Sequence, residues 1–130
     1  MKVIKIPLDI KEECTVHEIQ DAKDLSIEES GKVLDQIKQL IGIEWAEIVV
    51  IHTRPSDPRR DFCLIVDEVG KLKEDWRMNL RASQFYPGTP FGDPIAGNVI
   101  LCAREWTDSF GECDLAGLTD EEINELKEYL

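Results

Sequence analysis

Seven side chains in the middle of the chain have the types and proximity to hold an anionic ligand or partner: Arg59, Arg60, Asn79, Arg81, Tyr86, Phe91 and Asp93. A planar guanidinium binds a carboxylate or phosphate through two parallel hydrogen bonds, which singles out Arg81 and the Arg59-Arg60 pair. Tyr86 and Phe91 offer aromatic faces for stacking, Asn79 and Asp93 offer polar anchors, and Gly88 and Gly92 let backbone approach a ligand closely. The expected place for such a site is between the 54–61 loop, the Asn79-Leu80-Arg81 segment and the 87–94 loop. The competing reading is structural: the arginines make ion pairs with acidic neighbours, and the aromatics fill the core.

Other chemistries find little support. His17 and His52 are the only histidines, and neither stands beside a nucleophile motif. The loop from Gly88 to Gly92 lacks the Lys-Ser/Thr of a phosphate-binding P-loop and the G-x-G-x-x-G of a dinucleotide site. Cys14, Cys63, Cys102 and Cys113 are widely spaced, whereas zinc sites favour close pairs. The expectation is buried, reduced, unligated thiols at Cys63 and Cys102, with no catalytic residues, no metal and no cofactor.

The net charge of −12 is unevenly placed. Residues 1–53 carry 11 acids against 6 bases, residues 54–104 carry 7 against 8, and residues 105–130 carry 9 against 1. An acidic surface repels phosphate backbones, so direct nucleic-acid binding is disfavoured, while the near-neutral middle still suits a small anion. No apolar run reaches the roughly 18 residues of a membrane span and the N-terminal residues lack the pattern of a signal peptide, so the expected location is the reducing cytoplasm.

The elements that must position these residues follow from periodicity. One domain is expected from 130 residues. Residues 3–8 and 14–17 read as an opening hairpin. Ser26-Ile27-Glu28-Glu29 has the form of a capping box, and Val33, Leu34, Ile37, Leu40 and Ile41 form one helical face before Gly42. The apolar runs 48–51 and 62–66 read as central strands, covered on both faces or at the sheet centre, that pair antiparallel across the 54–61 loop. A turn at 67–71, mixed helical character over 75–85, a loop at 87–94 and a last strand at 98–103 follow. Thr119 and Glu122 predict a capped C-terminal helix with Ile123, Leu126 and Leu130 on its apolar stripe. The fold class is α+β: one mixed, mainly antiparallel sheet with a helix on one face and a C-terminal helix.

Four segments in order, Asp67-Glu68-Val69-Gly70-Lys71-Leu72, Asn79-Leu80-Arg81-Ala82, Gly92-Asp93-Pro94-Ile95-Ala96-Gly97-Asn98-Val99-Ile100 and Gly117-Leu118-Thr119-Asp120-Glu121-Glu122, carry a resemblance. Together with residues 1–9 and Leu40-Ile41-Gly42-Ile43-Glu44, the chain resembles the phage and plasmid family known as domain of unknown function 3846. It departs from that family's pattern before Asn79, where Asp75-Trp76-Arg77-Met78 lacks a proline, and after the last strand, where Cys102-Ala103-Arg104 lacks a glycine. The resemblance implies a protein of bacterial or phage-infected cytoplasm and brings no activity.

Two function classes follow. The first is a non-catalytic acidic interaction protein of a phage or mobile element, a counter-defence factor or nucleic-acid mimic whose partner is a host or bacterial protein, itself nucleic-acid-binding. The alternative is a binder of a small nucleotide-like anion through the basic middle. An enzyme ranks third.

Overall fold

In a computed structural model, which describes residues 1–20, 32–106 and 113–130, the apolar runs become strands of a six-stranded sheet. β1 (Lys2–Ile6), β2 (Thr15–Glu18), β3 (Ala46–Val50), β4 (Arg60–Asp67), β5 (Val99–Trp106) and β6 (Cys113–Ala116) pair antiparallel throughout. The order is β2-β1-β5-β4-β3, and β6 also pairs with β5. β1 faces β5 at Val99–Leu101 and β6 faces it at Ala103–Trp106, while β4 spans Ile100–Glu105 from the other side. The two short strands therefore lie end to end along one edge of β5. Where they meet, a Cβ on Gly117 would come within 2.5 Å of Met1 Cβ, so only glycine lets β6 turn away there.

Two-residue alternation makes this sheet apolar on both faces. Phe62, Leu64 and Val66 of β4, with Val99, Leu101 and Ala103 of β5, face one side with Ile4 and Ile6. They are covered by Ala82 and Phe85, by Ile95, by Leu118, and by Ile123 and Leu126 of the C-terminal helix. On the other side Cys63, Ile65, Ile100, Cys102 and Val3 meet Val33, Ile37 and Ile41 of α1 (Lys32–Ile41). Gly42, at φ 69°, ends α1 in the left-handed conformation that glycine adopts without steric cost, and the Ile43 N–H donates back to Lys38 O at 3.1 Å. Two further helices follow, α2 (Leu80–Ser83) and α3 (Asp120–Lys127). The Thr119–Glu122 capping box forms as the sequence predicts.

Several expectations need correction. β3 is an edge strand, paired only with β4, and Ile48 and Val50 are exposed rather than covered on both faces. The last strand continues past Ala103 to Trp106 and is followed by β6, because pairing with β4 and β6 extends it beyond its apolar run. Within 75–85 only four residues are helical, since Asn79 caps a helix that closes at Gln84. The opening strand stops at Ile6, where Pro7 removes a ladder donor. The Ser26–Glu29 capping box expected ahead of α1 lies outside the described residues.

Cys63 and Cys102 are directly opposed across β4 and β5, fully buried and free, with their Sγ atoms 3.5 Å apart. The hydrogen bond between them, followed by burial, holds the Cys102 thiol well above its ordinary value of 9.0. The folded state thus keeps a proton that the unfolded chain releases above that value, so this contribution is present below it and lost as pH rises through the higher folded value. In Cys102→Ala, unfolding free energy measured from neutral to alkaline pH should fall less steeply than in the parent. An equal slope in both would show that the thiol pair is not the source.

Candidate functional site

Asn79 and Arg81 occupy the end of the sheet where β1 leaves and β5 enters. Asn79 is fully buried, and its Oδ1 accepts from Ala82 N at 3.0 Å to cap α2. Its Nδ2 donates to Ile6 O at 3.0 Å, Gly97 O at 2.9 Å and Pro7 O at 3.3 Å. Arg81 Nη2 donates to Pro7 O and Asp9 O, both at 3.0 Å. The Asn79-Leu80-Arg81 segment therefore joins α2, the exit of β1 and the residues before β5, and Asn79 has no side-chain atom left for a ligand.

Arg59 and Arg60 stand at the opposite end of β4. Arg60 grips Glu122 bidentately, Nη2 to Oε1 at 2.7 Å and Nε to Oε2 at 3.2 Å, and Nη2 also donates to Gly117 O at 2.8 Å. Glu105 adds a longer ion pair at 3.8 Å. Glu122 Oε1 meanwhile accepts from Thr119 N at 2.9 Å, so one carboxylate both caps α3 and binds Arg60. The exposed Arg59 pairs with Asp57 at 3.5 Å, and the Arg59 backbone N–H, more than its side chain, keeps the Asp57 carboxyl below its usual value. Next to them Asp61 Oδ2 accepts from Arg104 Nε at 3.3 Å and Trp106 Nε1 at 3.2 Å, with the Arg104 guanidinium 5.1 Å from the Trp106 ring centre.

Tyr86 and Asp93 come together in a third place. Tyr86 Oη donates to Asp93 Oδ2 at 3.2 Å, and Lys71 bonds the other carboxylate oxygen. These three line a cleft of about 180 Å³ beside β3, with Asp67 and Glu68 on its wall. The 87–94 loop is held by Thr89 Oγ1 donating to Ser83 O at 2.8 Å and by Ile95 N donating to Ser83 Oγ at 3.0 Å. Phe91 at its tip is 89% exposed, with no aromatic partner among the described residues. The seven candidate residues thus fall apart: Arg59 and Arg60 lie at one end of β4, Asn79 and Arg81 at the exit of β1, Tyr86 and Asp93 by β3, and Phe91 alone at the exposed tip of the 87–94 loop.

The roomiest of the clefts described lies on the far side of Arg81, at about 450 Å³. Ile4, Ile10 and Val16 of the opening hairpin and Leu130 form its apolar walls, and Lys11, Arg81 and Lys127 supply positive charge. Cys14 faces it half-buried; burial raises its thiol above the ordinary value, and the Arg81 charge partly offsets that rise. Sequence reasoning identified Arg81 but not its surroundings, because Lys127 and Leu130 arrive from the other end of the chain. Among the described residues, no three His, Cys, Asp or Glu side chains gather as a metal site would require. No helix among them is long and apolar enough to cross a membrane.

The comparison with curated proteins returns no match, and neither does that with solved structures. A family model does match across residues 1–130, and the chain belongs to the family described as Domain of unknown function (DUF3846).

Proposed function

We propose that the protein acts by binding a basic partner protein rather than by catalysis. The observation that supports this reading most directly is the outer face of α3. Glu121, Glu125 and Glu128 are exposed and recur at helical spacing along one stripe, with no cation partner among the described residues. At 1.5 Å of rise per residue, neighbouring carboxylates in the stripe stand about 4.5–6 Å apart along the axis. That is sparser than the one charge per about 3.4 Å of axis on a nucleic-acid strand, but of the same order. Meanwhile many of the chain's cations are engaged elsewhere: Lys2 with Asp120, Lys73 with Asp67, Lys71 with Asp93, Arg60 with Glu122 and Arg104 with Asp61. The negative surface is consequently not neutralised locally, and it complements a nucleic-acid-binding cleft on another protein.

The family resemblance supports an origin in a phage or other mobile element, with a host protein of the bacterial cytoplasm as the target and counter-defence as the role. Acidity also aids solubility without any partner, and capture experiments separate the two. Affinity capture from bacterial lysate at low salt should retain a basic protein that is lost near 1 M salt, where the screening length falls to about 3 Å. Glu121→Gln/Glu125→Gln/Glu128→Gln should lose the same protein at low salt. Retention of that protein by the triple variant would overturn the reading.

The alternative, a nucleotide-like ligand held by Arg59, Arg60 and Arg81 together, gains less support, because among the described residues Arg60 binds Glu122 and Gly117 at one end of β4 while Arg81 binds Pro7 and Asp9 at the exit of β1.

A further inference from the structure

We propose that the cleft between the opening hairpin and the end of α3 is a binding site for a monocarboxylate bearing an apolar tail. This inference is independent of the acidic-partner reading, since it uses another surface and another chemistry. At about 450 Å³ the cleft falls within the range of small-molecule sites, which are mostly apolar with a few placed polar groups. Ile10, 60% exposed, and Val16, 44% exposed, turn apolar surface into it, and Ile4 and Leu130 continue that surface inward. A ligand tail would cover what water now touches.

Charge at the cleft distinguishes an anionic head from a neutral one. Arg81 reaches the site part-buried, and its Nη2 bonds only neutral carbonyls, at Pro7 and Asp9. Lys127 has no ion pair among the described residues. Lys11 lines the cleft as well, so three cations without ion pairs among the described residues stand against the side-chain carboxylates of Glu12 and Glu13, a local reversal of charge in a chain of net −12. Glu12 and Glu13 also border the site, but both are exposed and solvated, so water screens them more than it screens Arg81. Their presence, together with the negative end of the α3 dipole, weighs against a doubly charged phosphate and favours a single carboxylate. Arg81 suits that head because its Nε and Nη1 remain beyond the two bonds made by Nη2.

Octanoate is the probe, with octanol and acetate as controls that lack the charge and the tail respectively. Isothermal titration of the intact protein should give saturable octanoate binding, with both controls weaker by about tenfold or more, as expected when one charge-assisted bond or the apolar contact is removed. Lys127→Gln should weaken octanoate by about tenfold and leave octanol unchanged. Val16→Asp, at an exposed position of the edge strand, should abolish octanoate binding without lowering the melting temperature. Equal binding of octanol and octanoate, unchanged octanoate affinity in both variants, or no saturation would each overturn the proposal. None of these outcomes bears on the α3 carboxylates, so failure here and failure of the partner-binding reading are distinguishable.

Discussion

Asn79→Ala is expected to lower the unfolding free energy by about 2–4 kcal/mol, combining a lost helix cap with buried carbonyls left without their donor. Asn79 Oδ1 is the N-cap acceptor of α2, and Nδ2 is the common donor to Ile6 O, Pro7 O and Gly97 O. These carbonyls belong to the exit of β1 and the entry to β5, so the loss is felt in two places at once. Asn79→Asp should be no better than alanine, although it keeps the cap, because it sets a carboxylate against three carbonyl oxygens. Urea denaturation checks both variants. A cost below about 1 kcal/mol for alanine would mean that water replaces the amide and that the position is not a structural joint.

The second large effect is expected at Arg60. Removing it as Arg60→Ala strands Glu122, whose side chain is only 10% exposed, and the loss of one member of a buried pair costs about 3–5 kcal/mol. Glu122 also receives the Thr119 N–H, so the start of α3 should loosen along with the β6 exit at Gly117. Arg60→Lys should recover only part of the loss, since an ammonium cannot reproduce the two parallel bonds to Glu122 and the third to Gly117 O. Hydrogen exchange of the Glu122 and Ile123 amides reports the local change, and denaturation reports the total. If the exchange rates of those amides stay at the parent level in Arg60→Ala, the pair is not what fixes α3 to the sheet.

How far the sequence reveals this molecule depends on the range of the interaction that decides each feature. Thr119 and Glu122 are three residues apart, and the box they form was legible. So were the pairing of β3 with β4 and the stop at Gly42, since both rest on neighbouring residues. β6 was not, because four residues, one of them Asp114, give no periodicity that distinguishes a strand from a loop. The arginines show the limit most clearly. Their excess in the middle of the chain was visible, but Arg60 finds its carboxylate 62 positions away and Arg81 its carbonyl 74 positions away. Composition records that a charge exists, while the fold decides whether it is spent inside or left for a ligand. The same holds for the Arg81 cleft, whose walls come from both ends of the chain.

The end-to-end placement of β1 and β6 along one edge of β5 also sets an order in time. On the ribosome β1 emerges early with only β2 to pair, and its other partner, β5, follows after most of the described residues have been made. β5 is in turn incomplete along that edge until β6 has followed it. Such pairings between distant positions are slow to form, because a long loop must close before any contact rewards it. The nascent chain therefore holds the apolar face of β1 open until β5 is made, and that of β4 open over the stretch between Asp67 and Val99, with acidic side chains such as Glu12, Glu13, Glu44 and Glu47 nearby to discourage association before the sheet can close.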